Sequence, residues 1–532
     1  MKAQSTYIPQ TPYIERREAQ GLFEELLNEK SSYRVFNIYG KSGRGKSRLL
    51  THLYHKFLEN KEDTLSLTID FEDRLLHKPQ SAIMHIAKAL EEKYNINFIA
   101  LWKAYAQLWQ KRYEHSPILY AADLPYYEEV RELLKPQKKS RIITIAKGLF
   151  GSTLAKDLED LQRLDSREIE RKLYQFFAAD LRNIIKEKKF KKAVLIFENI
   201  DILQEYNHTT PCAKDAWIRD LITHFGKDVF VTLTSIERLN WDKCNSAWRS
   251  IINATQLNIF NKKESLQYLS SSGIKDKALQ EAIALNSGGE PFILNLARIT
   301  YGGKDYPLPA SKKDIYDTFF DSLDDQLKRL LKVLAYTRFF TLKLIVQLVN
   351  HYAIGINKDI IYQLLEYDFV KAIATNKYAI DKRLKEIIVA REVELERVEY
   401  RSFLFSYYEH TLQTLDELQV KDNPHLVDEA IEEGWYYLNL ISSEPLIHFE
   451  WLDYYVDRFF MYAAWEPFLD RYHLIVPKLQ KAQDETSKYK LINLYNNLAG
   501  LYESLGDTKQ SREYYNRVVK LNRPTALSAK SA

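Results

Sequence analysis

Gly40-Lys41-Ser42-Gly43-Arg44-Gly45-Lys46-Ser47 fits the pattern G-x-x-x-x-G-K-[ST], and its reading decides the fold. In such a loop, glycines let backbone amides turn inward around an anion, the lysine neutralises the β- and γ-phosphates, and the hydroxyl ligates Mg²⁺. The flanks agree. Tyr33 to Tyr39 is β-branched and aromatic, as a buried strand would be, while Ser47 to Phe57 carries Leu49, Leu50, Leu53 and Phe57 at helical spacing. Strand, loop and helix in that order predict an α/β P-loop domain with phosphates at a helix N-terminus. The candidate nucleotide-binding residues are Gly40, Lys41, Ser42, Gly43, Arg44, Gly45, Lys46, Ser47 and Arg48. The expected cofactors are ATP or ADP with Mg²⁺, the metal on Ser47. The competing reading is a basic glycine turn without a ligand.

Composition sets the bounds. A chain of 532 residues should hold several domains. Its 45% hydrophobic and 28% charged residues are ordinary for a soluble protein. No run of about 18 uninterrupted apolar residues suggests a membrane span, and Met1 to Tyr13 does not read as a secretory signal. Cys212 and Cys244 are too few and too far apart for a metal site or disulfide framework, so a reducing cytoplasm is expected. A net charge of +4 says almost nothing about nucleic acid.

Along the chain, Glu18 to Leu27 reads as a short helix. Thr64 to Phe71 reads as a second strand ending in acidic residues, as a strand with its functional end at the carboxyl edge would. From about 95 to 164 the pattern loosens into an insertion. Trp102, Tyr105, Trp109 and Tyr113 form an aromatic stripe there, and Lys135, Lys138, Lys139, Arg141 and Lys147 form a basic run. The stripe reads as core and the run as a solvated loop, although the run is the best nucleic-acid candidate in the chain. Asp165-Ser166-Arg167-Glu168 announces a helix by its cap. Ala193 to Phe197 is a continuous apolar run, as in a strand buried on both faces, and ends in Glu198-Asn199-Ile200-Asp201. Asp228 to Ser235 closes on small hydroxyls, Thr234 among them, with Arg238 close behind. Helices from Lys263 to Arg298 are broken at Ser287-Gly288-Gly289-Glu290-Pro291-Phe292.

After a linker with Gly302, Gly303, Pro307 and Pro309, three short amphipathic stretches precede two strands, Phe369 to Ile373 and Lys377 to Ile380, turning at Thr375-Asn376. Three helices plus a hairpin describe a winged helix. Its third helix, Asp359 to Asp368, carries no Lys or Arg, which argues against reading DNA. Leu498-Ala499-Gly500-Leu501-Tyr502, Gly506-Asp507, Ser511, Tyr515, Val518 and Pro524 match the tetratricopeptide pattern. An earlier, looser unit spans Trp451 to Leu479 with its turn near Trp465. Tyr436, Tyr437, Tyr454, Tyr455, Phe459 and Phe460 read mostly as inter-helix packing. The expected division is 1–240 P-loop domain, 241–300 helical lid, 301–316 linker, 317–397 winged helix, 398–522 α-helical TPR-like repeats and 523–532 disordered tail.

The phosphate loop, the apolar strand ending at Glu198, the hydroxyl-ended strand and the Gly289-Glu290-Pro291 turn together resemble the STAND ATPases, the signal-transduction branch of the AAA+-related P-loop enzymes, over about residues 10 to 400. The resemblance implies that Glu198 helps Ser47 hold Mg²⁺ in a Walker B position, where Asp is usual, and that Asn199 replaces the catalytic acid. Asp201 is then the nearest substitute, on the same side if the strand stays extended. Thr234 and Arg238 would sense the γ-phosphate, Tyr13, Ile14 and Arg16 would pack on adenine, and Pro291 would face the base. Asp381 stands where the family's winged helix usually carries an ADP-binding histidine. The resemblance implies a nucleotide-dependent switch, with slow hydrolysis, a protein partner sensed by the repeats and a homo-oligomer on activation. Such proteins often act in transcription control or immune-type defence. With the loop beginning near residue 40, no room is expected for an N-terminal effector. The alternatives are a DNA-associated AAA+ ATPase of the origin-recognition kind, supported by the basic run, and a scaffold whose nucleotide is structural.

Overall fold

The computed structural model describes residues 12–28, 32–112, 160–161, 163–187, 190–204, 215–302, 306–355, 358–422, 425–460, 466–482 and 484–522. Tyr113, the Lys135 to Lys147 run, Trp465 and the tail read as disordered lie outside them. The chain forms two compact units, Met1–Ile96 with Ile184–Arg397, and Asn97–Asn183 with Val398–Ala532.

The first unit is built on five parallel strands, β1 (Val35–Tyr39), β2 (Thr64–Asp70), β3 (Lys192–Glu198), β4 (Val229–Ser235) and β5 (Ile252–Gln256), in the order β2-β3-β4-β1-β5. Parallel strands need crossovers that place helices on the sheet faces, so the inner strands are covered on both sides. That is why β3 and β4 read as apolar runs: every residue of β4 is buried. Helix α1 (Arg17–Leu26) and helix α2 (Lys46–Phe57) bring Phe23, Leu26, Leu49, Leu50 and Leu53 against Phe36, Ile38, Val194 and Ile196 in one core. Burying each such side chain contributes about 1.5–3 kcal/mol. Asn37 is the polar exception inside β1. Its amide donates to Ser235 Oγ at 2.9 Å and its oxygen accepts from Leu239 N at 3.1 Å, so its burial is compensated.

Strand β5 lies inside the stretch expected to be helical lid. Its Asn253, Thr255 and Gln256 give no apolar run because it is a half-exposed edge strand. Beyond it come the lid helices Lys262–Ser271, Lys277–Asn286 and Pro291–Tyr301. The winged helix follows, with helices Asp325–Leu334, Leu342–His351 and Lys358–Glu366 before the antiparallel pair β6 (Val370–Ala374) and β7 (Lys377–Ile380). Asn376 makes the hairpin turn at φ 58°, a left-handed position that asparagine tolerates. Phe340 bridges to Tyr378, extending the small sheet.

The second unit is helical. Residues 97–183, read from sequence mainly as an insertion in the P-loop domain, group here with the C-terminal helices. Helix Ser166–Glu187 opens with a reciprocal cap, Glu168 N donating to Asp165 Oδ1 at 2.8 Å and Asp165 N to Glu168 Oε2 at 3.0 Å. Its first turn sits on the repeat turn: Ser166 Oγ donates to Leu505 O at 2.7 Å, and Arg167 pairs with Asp507 at 2.9 Å. That turn joins helices Glu485–Ser504 and Thr508–Asn522 through Gly506 at φ 81°. Helix contact explains Gly434, where a Cβ would come within 2.8 Å of the Trp451 ring. Tyr437, Tyr455 and Phe459 are buried as packing residues, whereas Tyr454 is exposed. Among the described residues no helix is long and apolar enough to cross a membrane.

An ion pair ties the lid to the winged helix. Arg298 of helix Pro291–Tyr301 has a fully buried guanidinium that donates to Asp368 Oδ2 at 2.7 Å and, from Nε, to Asn295 at 3.0 Å. Removing one partner of a buried pair strands the other, at about 3–5 kcal/mol when both are dry. Asp368 is about one-third exposed, so Arg298→Met should cost nearer ~2–3 kcal/mol, read as a lower midpoint in urea unfolding. Asp368→Asn should cost less.

Candidate functional site

The carboxyl ends of four strands share one edge of the sheet, the place where open α/β sheets bind ligands. β1 runs into Gly40, β2 ends at Asp70, β3 at Glu198 and β4 at Ser235, and Asp70 stands opposite Glu198 in register. Gly43 and Gly45 take φ of 79° and 87°, which side-chain-bearing residues rarely adopt. A Cβ on Gly43 would also come to 3.0 Å of Phe292 Cβ. Lys46 Nζ donates to Gly40 O at 2.6 Å and lies 3.5 Å from Lys41 O, so its ammonium is curled inside the loop. Burial lowers its pKa; Asp201 opposes that shift and the charge of Lys371 adds to it.

The lid closes on this loop. Phe292 N donates to Gly43 O at 3.1 Å, and Pro291 Cβ stands 3.9 Å from where a Gly45 Cβ would be. The proline thus faces the phosphate loop, whereas sequence reasoning placed it toward a base. A cavity of ≈ 470 Å³ lies elsewhere, between Ile14 to Ala19 and the segment after β5, with Arg16, Asn258 and Glu264 on its wall. Arg16 donates to Asn258 O at 2.9 Å with its guanidinium 4.3 Å over the Phe260 ring. Arg44 leans the same way: its charge lowers the Arg16 pKa, and its Cγ would meet a Gly40 Cβ at 3.7 Å. Tyr13 lies apart from the cavity wall, stacked 3.8 Å from His52 of α2. Lys41 and Arg48 are exposed, Ser42 half-buried.

At β3, the expectation of an extended chain through Asp201 fails. Asn199 turns left-handed at φ 59°, and Asp201 begins a four-residue helix. Asparagine tolerates that conformation, so the chain leaves the sheet one residue after Glu198. The Asn199 amide group donates to Asp70 Oδ1 at 2.7 Å, and its backbone N–H donates to Thr234 Oγ1 at 2.9 Å. Asp201 accepts from Ile236 N at 3.1 Å, tying it to the end of β4. Arg238 is exposed, and its charge bears on Asp242.

Ser47 and Glu198 do meet. The carboxylate is hydrogen-bonded to Ser47, and its Oε2 is buried without a hydrogen-bond partner. An orphaned carboxylate oxygen beside a hydroxyl suits a hard divalent cation, which commonly takes one or two protein oxygens and completes its shell with phosphates and water. Among the described residues no group of three His, Cys, Asp or Glu could hold a metal without such help.

Sequence reasoning missed what fills the rest of the site. Lys371, from β6, donates from Nζ to Ser47 Oγ at 2.9 Å. Burial alone would lower its pKa; Glu198, Asp70, Glu72 and Asp381 together raise it instead. Asp381 caps the next helix, Lys382–Val389, by accepting from Arg383 N at 2.8 Å, and burial raises its pKa. Arg383 Cγ stands 3.9 Å from where a Gly43 Cβ would be. A lysine in Val-Lys-Ala-Ile-Ala carries no local sign of this placement.

The tetratricopeptide repeat family matches residues 492–525. No curated protein matches the sequence. Among solved structures, the chain is similar to a signal transduction ATPase with numerous domains (STAND) protein with a tetratricopeptide repeat sensor from Pyrococcus horikoshii, at 13% identity and a TM-score of 0.42, over 97% of this chain and 65% of that one. It is also similar to a Walker-type ATPase of Pyrococcus abyssi, at 14% identity and 0.32, over 72% and 98%. A third likeness is to Cdc6p from Pyrobaculum aerophilum, at 12% identity and 0.27, over 73% and 97%. The chain thus spans about two thirds of the length of the first of these.

Glu72 gives the site a pH signature. Burial first, and then the charge of Asp70, push it up from 4.5 to about 7. A carboxyl raised on folding contributes stability fully below its unfolded value and loses it as pH climbs to the folded one, here between about 4.5 and 7. Wild type should lose on the order of 1–3 kcal/mol across that window from this group. Glu72→Gln should flatten the loss, seen by comparing melting temperatures at low and high pH.

Proposed function

We propose that this chain is a nucleotide-dependent switch, with ATP or ADP held by Gly40 to Ser47 and a protein partner recognised through its C-terminal repeats. The observation that carries the reading is the phosphate loop itself: Lys46 curled inside two left-handed glycines, with the lid residue Phe292 bonded to Gly43 and the winged-helix residue Lys371 bonded to Ser47. A loop contacted at once by lid and winged helix couples what occupies it to the arrangement of both. The cavity walled by Ile14 and Arg16 is the proposed base site. Ser47 and Glu198 would hold Mg²⁺, which when bound supplies charge neutralisation for the phosphates. In this proposal the switch is a cytoplasmic signalling component acting in regulation or defence, and it assembles into a homo-oligomer once activated.

Hydrolysis should be slow. An amide cannot accept a proton from water, and that of Asn199 is already engaged with Asp70. Loss of a general base commonly costs about a hundredfold to ten-thousandfold. Slow turnover suits a switch that holds one state until a partner arrives. Single-turnover hydrolysis should rise about tenfold or more in Asn199→Glu; wild type already turning over near ~10 s⁻¹, typical of enzymes, would contradict this.

The binding test is calorimetry with ADP on wild type and Lys46→Ala. Removing a charge-assisted phosphate contact of about 1.5–3 kcal/mol should weaken binding roughly tenfold to hundredfold. Equal affinities would overturn the nucleotide site.

A further inference from the structure

We propose that Lys371 is a cation supplied by the chain itself to the metal position of the phosphate loop, so that a divalent ion reaches Ser47 and Glu198 only when the β6–β7 hairpin withdraws. The proposal rests on reading Gly40 to Ser47 as a nucleotide site.

Three observations converge on it. The Lys371 ammonium lies 2.9 Å from Ser47 Oγ, the oxygen a divalent ion would need. A Mg²⁺ ion binds oxygen at about 2.0–2.1 Å, so at that hydroxyl ion and ammonium would be two cations in close opposition and compete for the place. The carboxylates that feel the ammonium, Glu198, Asp70, Glu72 and Asp381, come from the end of β3, from the end of β2 and the turn that follows it, and from the residue after β7. They form one acidic wall around it. Lastly, Glu198 is about nine-tenths buried and its Oε2 has no partner, so the wall keeps an acceptor in reserve. A lysine placed only for packing would not need to reach the Ser47 hydroxyl that closes the loop.

The consequence is a choice between two cations with one difference. Mg²⁺ is free to leave, whereas Lys371 is tethered to a hairpin paired through Lys371 opposite Ala379. With the hairpin docked, Lys46 and Lys371 provide two positive charges, so this state favours nucleotide without metal. A ligand shifts such an equilibrium only by its difference in affinity for the two states, and here the difference is the divalent ion.

The test uses the full chain, with Mn²⁺ as the probe, titrated and followed by electron paramagnetic resonance. Lys371→Gln should bind Mn²⁺ roughly tenfold to hundredfold more tightly than wild type, the usual range for coupled sites. Lys371→Arg, which keeps the charge, should behave as wild type. Equal Mn²⁺ affinity in all three would overturn the proposal. Should Lys371→Gln fail to fold, unmodified protein decides. Amine-reactive labelling read by peptide mass spectrometry should find Lys371 protected without metal and reactive at saturating Mn²⁺ with ATP. Protection that persists under saturating Mn²⁺ would refute it. ADP binding by wild type in the presence of a chelator is measured alongside. Its absence would fail the nucleotide reading alone, because the Mn²⁺ comparison needs no nucleotide.

Discussion

One ammonium, that of Lys371, sits against the Ser47 hydroxyl and feels the charges of Glu198, Asp70, Glu72 and Asp381, and this charge balance joins the winged helix to the edge of the sheet. Four carboxyl groups at the edge of a buried sheet could not all ionise without a cation among them. The raised pKa values of Glu72, Glu198 and Asp381, each due first to burial, show how far the balance is already stretched with the lysine present. Burial also lowers the pKa of Lys46, and the neighbouring Lys371 lowers it further. Two ammonium groups and several carboxylates are therefore held in an arrangement that a polyanionic ligand would redistribute.

The remaining contacts make that redistribution structural. Phe292 reaches Gly43 through a backbone hydrogen bond. Six residues further along the same helix, Arg298 is buried and paired with Asp368, which lies just ahead of β6 and therefore of Lys371. Phosphate loop, lid helix and hairpin are thus linked by a short series of directional bonds, each of which has few alternatives once its partner moves. Asn199 adds a second tie by joining the end of β3 to Asp70 on β2 and to Thr234 on β4. Asn199 in this way joins three strands.

Much of this fold was legible in the sequence because its signals are local. The phosphate loop, the leucines of α2, the Asp165 and Glu168 cap and the Gly506 turn each declare themselves within a few residues. The joint position of Ser47 and Glu198 was implied by the family resemblance rather than by any local pattern. What could not be read was long-range or depended on one backbone angle. Strand β5 is polar because it lies at the edge. Asn199 leaves the sheet through a single left-handed residue, which moved Asp201 from where an extended strand would put it. Lys371 lies 324 residues from Ser47, and a lysine in a short half-buried strand looks like any solvated lysine until the fold is assembled. Arg238, assigned by proximity in sequence alone, stays exposed.

The most direct measurement of the central claim is a double-mutant cycle between Lys371 and Glu198, using Lys371→Met, Glu198→Gln and the double variant in equilibrium unfolding without metal or nucleotide. Residues within one ion-pair network couple by about 0.5–3 kcal/mol, whereas independent sites add within a few tenths. The account predicts a coupling of at least about 1 kcal/mol in the favourable direction. Additive effects would show that the lysine and the carboxylate do not hold each other, and the account would be wrong.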